Sequence, residues 1–360
     1  MRFLLIAAVA LLAFANGAND NFKGVATLWG AGRTTYRRAL AWATVFTFLG
    51  SLTAVGVAGS LAAKFNGSKF VGAGIYTQPA FLAAVVLGAA ATVLLAARLG
   101  LPISTTHALT GAIAGAGIAA AGFANVQLAS LASGVLAPLL FSPVIALGLT
   151  LAIYPLLARL AARDCICVDE PATVRLAPAG LAASDVVTAV RQVRWASAAE
   201  CQTGVEVARW SPTDSLHWLS SAAISFARGL NDTPKIVAVL LILPLAGQTT
   251  NYLVVALTIA LGGLFGAQYV ARTMSKKITP MATPEAVSAN LVAAALVTLA
   301  SPFGLPVSTT HVTSGGIFGI GLLRRRQADW GRVRGILLSW LATLPLGAAL
   351  AVVFYRLLMR

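Results

Sequence analysis

Two aspartates, Asp20 and Asp232, stand inside apolar stretches of this 360-residue chain. Each follows an asparagine (Asn19, Asn231) and precedes a lysine by three residues (Lys23, Lys235). The other carboxylates lie at a helix start (Glu285) or in loops and the central segment. An ionised side chain in hydrocarbon costs roughly 2.5–3.5 kcal/mol on insertion scales, so such a residue marks function. A single Asn-Asp after glycine reads as an ordinary turn or cap. Two copies, each with its lysine, point instead to groups that hold a cation, a proton, or the hydroxyl of a protonated oxyanion. Gly17 and Gly229, three residues before each aspartate, are expected to let the helix break there. Broken backbone at membrane depth persists only where protein or a watery cavity satisfies it.

A second motif is also doubled: Leu101-Pro102-Ile103-Ser104-Thr105-Thr106-His107 recurs as Leu305-Pro306-Val307-Ser308-Thr309-Thr310-His311. Proline suits a first helical turn because its missing amide would be unpaired there anyway. Serine and threonine cap the helix, and the amides and dipole at its start favour an anion. One copy is ordinary capping. Two copies aimed at a common centre make a cradle of hydroxyls and amides for a tetrahedral oxyanion. His107 and His311 can titrate near neutral pH or rest neutral and buried against backbone, and both readings stand. The glycines after them (Gly111, Gly115, Gly117; Gly315, Gly316, Gly319, Gly321) suit close helix packing rather than phosphate binding.

The elements that position these motifs follow from composition. Hydrophobic residues make up 58% of the chain and charged ones 10%, against about 25% charged in soluble domains. A spanning helix needs roughly 20 apolar residues, and about ten such elements fit, some interrupted. The N-terminal run ending Ala13-Phe14-Ala15 has signal-peptide features. A similar run, Leu216–Ala227, leads into the second Asn-Asp far from any terminus, so the first is expected to be a retained half-helix. The motifs recur in the same order, with Asp-to-Ser spacings of 84 and 76 residues. With an odd number of crossings per half, the second copy is inverted, a recurrent secondary-transporter design. The expected architecture is an all-α polytopic membrane protein of two inverted-topology repeats with broken or re-entrant helices and ten or more segments. The repeats span 1–160 and 216–360, joined by a linker at 161–215.

The net charge of +15 is accounted for by topology. With the N-terminus outside and five crossings per half, 18 of the 26 Lys and Arg fall inside, five outside, and Lys23, Arg228 and Lys235 at membrane depth. That asymmetry obeys the positive-inside rule, and no nucleic-acid partner is needed. Both termini are expected outside the cell membrane, with the linker in the cytoplasm. The linker reads as mixed, with a short helix around Ser184–Ala199. Its Cys165, Cys167 and Cys201 make a poor zinc pattern and read as reduced, unligated thiols. No metal site is expected.

The four motifs resemble those of the inorganic phosphate transporter (PiT) family, whose members carry a Gly-Ala-Asn-Asp and a Leu-Pro-x-Ser-Thr-Thr-His motif in each half. Here they stand at Gly17–Asp20, Leu101–His107, Gly229–Asp232 and Leu305–His311. The resemblance covers both halves and omits the linker. It implies cation-coupled uptake of inorganic phosphate. Asn19, Asp20, Ser104, Thr105, Thr106, Asn231, Asp232, Ser308, Thr309 and Thr310 would surround the substrate. Many members read Asn where this chain has Lys23 and Lys235, and sodium-coupled members tend to carry Glu where it has Thr47 and Asn290. The region expected to hold the coupling ion has thus lost acids and gained fixed cations, which favours H+ over Na+ coupling. The expected partners are phosphate and the lipid bilayer, with a homo-oligomer compatible and no cofactor beyond the coupling ion. Rival readings are a sulfate or other tetrahedral-oxyanion permease and an anion channel. A membrane enzyme using Ser104 or Ser308 as nucleophile is disfavoured, because an inverted repeat rarely doubles a catalytic site.

Overall fold

The computed structural model describes residues 2–57, 59–65, 67–162, 164–169, 172–175, 187–190, 193–197, 206–242 and 247–360. The first half contains α1 (Arg2–Asp20), a 3-10 turn at Lys23–Val25, α2 (Ala26–Gly30), α3 (Tyr36–Val57), α4 (Pro79–Arg98), α5 (Thr105–Ala121) and α6 (Ala137–Ala161). The second contains α7 (Pro212–Ile242), α8 (Gln248–Gly266), α9 (Gln268–Lys276), α10 (Thr283–Ala300), α11 (Thr309–Leu323) and α12 (Trp330–Leu358). Among the described residues, seven helical stretches are long and apolar enough to cross a membrane. α7, at 31 residues, is also long enough, but it carries buried charges near its middle. Apolar side chains such as Phe141, Val144, Leu338 and Leu341 remain exposed on α6 and α12, as a lipid-facing surface requires.

The packing of the two halves is reciprocal. α1 lies against α8 and α4, while α7 lies against α3 and α10. α5 crosses α12, and α11 crosses α6. The glycines serve these crossings. A Cβ on Gly17 would meet the Ile259 carbonyl at 2.0 Å, and one on Gly229 the Thr47 carbonyl at 2.0 Å. Gly111 against Leu344 and Gly315 against Pro143 repeat the arrangement for the second pair of crossings.

These contacts correct one expectation. The first copy does break, but after Asp20, where a turn and the 3-10 segment separate α1 from α2. The second copy does not break at Gly229, because α7 runs unbroken through Gly229–Asp232 and past Pro234. Both glycines sit within helices and admit a neighbouring backbone rather than ending a helix. The non-helical backbone at the site comes instead from the segments just before α5 and α11, around Leu101–Ile103 and Leu305–Val307.

The central segment is corrected too. In place of a helix around Ser184–Ala199, its described residues form strands β1 (Cys165–Asp169), β2 (Ala172–Arg175), β3 (Val187–Val190), β4 (Val193–Ala196) and β5 (Glu206–Trp210). β1 pairs antiparallel with β4 and β5, and β2 with β3. Clustered β-branched residues such as Val187, Thr188, Val190 and Val193 favour the pleated form. Asp164 closes the segment by accepting from Ser211 Oγ at 2.7 Å and from the Thr213 amide at 2.7 Å. Cys165 is a free buried thiol. Cys167 is disulfide-bonded, against the expectation of reduced thiols throughout, and Cys201 lies outside the described residues.

Overpacking a tight interface costs about 1–3 kcal/mol, so Gly17→Ala and Gly229→Ala should each lower the melting temperature of the purified protein. Gly148→Ala, where a Cβ meets nothing within 4 Å, should leave it unchanged or raise it. Equal melting temperatures for all three would contradict the close-approach role.

Candidate functional site

Charge is gathered where α1, α5, α7 and α11 meet. Asp20 and Lys235 are each 1% exposed, Lys23 2%, Asp232 4% and Arg228 1%. Lys23 forms a short ion pair with Asp20 one turn back on its own segment. Its ammonium also reaches Asn19 Oδ1 at 2.8 Å, the Ile103 carbonyl at 2.9 Å and Thr310 Oγ1, from the other half, at 2.6 Å. Lys235 repeats the pattern with Asp232 at 3.4 Å, the Val307 carbonyl at 3.0 Å and Thr106 Oγ1, again across the halves, at 3.0 Å. Each lysine therefore holds its own aspartate, its own half's motif and a threonine of the other half.

The bare backbone before α5 and α11 is satisfied by the same groups. Asn19 Nδ2 donates to the Leu101 carbonyl at 3.0 Å, and its Oδ1 accepts from the Ile103 amide at 3.2 Å. Asn231 Nδ2 donates to the Val307 carbonyl at 3.2 Å. Trp340 Nε1 donates to the Pro102 carbonyl at 2.9 Å. An unsatisfied carbonyl in a dry interior costs several kcal/mol, so the Asn-Asp-x-x-Lys sequences and the Leu-Pro-x-Ser segments need one another.

The hydroxyls of the second motif divide into distinct jobs. Ser104 and Ser308 are N-caps whose Oγ atoms accept from the His107 and His311 amides, each at 3.2 Å. Thr105 Oγ1 donates to Asp20 at 3.2 Å, and Thr309 Oγ1 to Asp232 at 3.4 Å. Thr106 and Thr310 meet the lysines, and Thr310 Oγ1 donates to the Ile103 carbonyl at 2.7 Å. All ten residues of the two Asn-Asp and two Ser-Thr-Thr motifs fall in or beside one buried cluster.

Three members of the cluster were not among the expected site residues. Arg228 Nη2 donates to Asn16 Oδ1 at 2.6 Å, and its Nη1 to Asn21 Oδ1 at 3.0 Å and Thr47 Oγ1 at 3.3 Å. Its Nε lies 3.6 Å from Asp232. Asn16 Nδ2 lies 3.0 Å from both Asp20 Oδ2 and Thr105 Oγ1, and 3.4 Å from Asp232 Oδ2, so it bridges the two aspartates. When the Asn-Asp motifs are superposed, Asn16 and Arg228 occupy the same position, directly before the glycine. That polar pair in apolar surroundings was the signal available. Of the two positions expected near a coupling ion, Thr47 touches Arg228, whereas Asn290 belongs to a second buried cluster. There Asn290 accepts from Thr27 Oγ1 at 3.1 Å and donates to Ser221 Oγ at 2.8 Å, and Thr27 lies 3.0 Å from His217 Nε2.

The central cluster thus holds three cations, Lys23, Arg228 and Lys235, against two carboxylates, Asp20 and Asp232. It carries one formal positive charge in a sealed interior, an arrangement that attracts an anion. Removing one partner of a buried pair costs about 3–5 kcal/mol, while removing both restores much of it. Lys23→Met should therefore destabilise the purified protein strongly and Asp20→Asn/Lys23→Met less, as read from thermal unfolding. A double variant no more stable than the single would contradict the pairing.

Comparison with known proteins bears on this geometry. The model of the phosphate transporter family matches residues 16–351. A probable low-affinity inorganic phosphate transporter of Bacillus subtilis strain 168 is 27% identical over 375 residues, taking in 99% of this chain and 97% of that one. One of the same description from Rhizobium meliloti strain 1021 is 28% identical over 361 residues, or 98% and 94%. A solved structure titled "The sodium-dependent phosphate transporter" superposes with a TM-score of 0.75 over 100% of this chain and 99% of the other. At 22% identity that likeness concerns the fold.

Proposed function

The chain belongs to the phosphate transporter family, and from that premise we propose that this multi-pass membrane protein imports inorganic phosphate by proton-coupled alternating access. The observation that carries the reading is the buried cluster with one cation in excess, built from both Ser-Thr-Thr helix starts and both Asn-Asp motifs. The phosphate contacts would come from Asn19, Asp20, Ser104, Thr105 and Thr106, and from Asn231, Asp232, Ser308, Thr309 and Thr310. The two halves are inverted repeats, and the reciprocal packing supports this. Lys23 on Thr310 and Lys235 on Thr106 are bonds across the halves, so an incoming oxyanion competes for the groups that hold the halves together. Exchange of those bonds couples binding to rocking of one half against the other.

Proton rather than sodium coupling is supported by the lysines. A sodium site is built from oxygen ligands, and here an ammonium occupies the acceptors around each aspartate. Lys23, Lys235 and Arg228 supply internally the positive charge that a coupling cation would bring. With the N-terminus outside, the β-strand segment would face the cytoplasm, and the basic excess around it agrees with the positive-inside rule. Sulfate is the rival substrate, because the cradle suits any tetrahedral oxyanion.

Uptake of labelled phosphate into proteoliposomes, with and without sulfate, under an imposed proton or sodium gradient tests this reading. A proton gradient alone should drive accumulation above equilibrium, with phosphate preferred to sulfate. Asp20→Asn and Asp232→Asn should each lower the initial rate at least tenfold, equivalent to raising the transport barrier by about 1.4 kcal/mol. Full transport by both variants, or accumulation that requires a sodium gradient and ignores pH, would overturn it. Passive currents without accumulation would instead indicate an anion channel.

A further inference from the structure

We infer that His107 and His311 together form the proton-holding site of the carrier, loaded only in company with a divalent oxyanion. This deepens the transport reading above and rests on it. Each histidine follows its N-cap serine by three residues, directly behind the threonines of the cluster. One comes from each half, and their rings meet edge-on with centroids 4.6 Å apart. His107 is 5% exposed and His311 0%. Trp340 covers the His311 ring with a centroid separation of 4.0 Å.

The hydrogen bonds show what the pair can accept. His311 Nδ1 lies 2.9 Å from the Leu139 carbonyl, which only accepts, so that nitrogen carries a hydrogen. His311 Nε2 then keeps a lone pair, and it has no hydrogen-bond partner. His107 Nδ1 has none either. Buried polar atoms are nearly always satisfied. Two orphaned imidazole nitrogens on neighbouring rings, behind an anion cradle, form a place for a proton that is not always present.

Charge sets when the proton is present. The charged groups nearest the pair are Lys23, held on Thr310 next to His311, and Lys235, held on Thr106 next to His107, with Asp20 and Asp232 accepting from Thr105 and Thr309 just before them. The helices packed on α5 and α11 bring charged residues only toward their ends: Arg98 on α4, Arg159 on α6, Glu285 on α10, and Arg332, Arg334 and Arg356 on α12. Glu285 is ion-paired with Arg324. An imidazolium would therefore be a fourth cation against two carboxylates, and the empty carrier keeps the pair neutral. A divalent tetrahedral anion reverses this. Its two negative charges exceed the single positive charge of the cluster by one, and one proton on the histidine pair closes the balance. The proton comes from water on the entry side, takes the free lone pair, and leaves with the anion. A second proton is refused because two imidazolium rings in contact repel each other in a low dielectric. By linkage, the proton raises anion affinity as much as the anion raises proton affinity, and that reciprocity is the coupling. A monovalent anion is balanced without a proton.

The chain has three histidines, so the nitrogen-15 spectrum of imidazole-labelled protein at pH 7, in sodium-free buffer, reads the proposal directly. Inorganic phosphate and sulfate are the probes. Neutral rings are expected without anion. At saturation with whichever probe binds, an imidazolium signal should appear that is lost in His107→Gln and in His311→Asn. Calorimetry at pH 8 in buffers of different ionisation enthalpy gives the count: about one proton taken up per anion, falling toward zero in His311→Asn. The asparagine can still donate to the Leu139 carbonyl. An anion-saturated protein whose rings all stay neutral, or a variant that keeps the full proton count, overturns the pair while leaving the transport reading intact. Binding of neither probe would sink that reading itself.

Discussion

A lysine ammonium in hydrocarbon must be surrounded by acceptors, and Lys23 finds them in an aspartate, an asparagine, a backbone carbonyl and a threonine of the opposite half. Much of the structure follows from that demand. The carbonyl is available because the chain before α5 is extended rather than helical, and it can be extended there because the lysine and Asn19 satisfy it. The lysine's charge beside the aspartate offsets part of the cost of burying that carboxylate in an apolar interior. Lys235 meets the same demand in the second half with Asp232, Val307 and Thr106. Neither half completes its site alone. Each needs a threonine hydroxyl from the other, which places the cluster on the boundary between the halves.

Buried ion pairs are weak evidence for stability, since their desolvation often exceeds their attraction. Their retention here is better understood through charge. Three cations and two carboxylates leave an excess that favours a tetrahedral anion, and this excess is covalently part of the protein. A carrier built around sodium sites takes up its compensating charge with the ion at each cycle. On the proposed reading the compensation in this chain is permanent, and only the last unit of charge comes from solution as a proton.

Much of this was legible in the residues. Two carboxylates in apolar runs and two Pro-x-Ser-Thr-Thr-His segments pointed to the residues that the fold gathers into one buried cluster, because ionisable groups and helix starts at membrane depth are costly without a purpose. Close packing by the glycine-rich runs also followed from composition. What escaped was what depends on contacts between halves. Gly17 and Gly229 looked like break points, but their spacing along the chain could not show the Ile259 and Thr47 carbonyls pressed against them. Arg228 was visible as a charge at membrane depth. Its joining of Asn16, Asn21, Thr47 and Asp232 depends on α1, α3 and α7 meeting. Of Thr47 and Asn290, paired by resemblance, only Thr47 touches Arg228, while Asn290 bonds Ser221, one turn along α7 from the Ser225 carbonyl that accepts from Thr47. In the central segment, a local helical reading lost to antiparallel pairing of β3 and β4 with residues 12 to 31 positions away.

The claim that Lys23 and Lys235 stand in for a coupling cation is tested most directly by exchanging both for asparagine. Phosphate uptake would be measured in sodium and in choline media of equal ionic strength and equal proton gradient. The parent should transport equally in both, and Lys23→Asn/Lys235→Asn should transport only in sodium. Parent uptake that falls to background in choline would contradict the account.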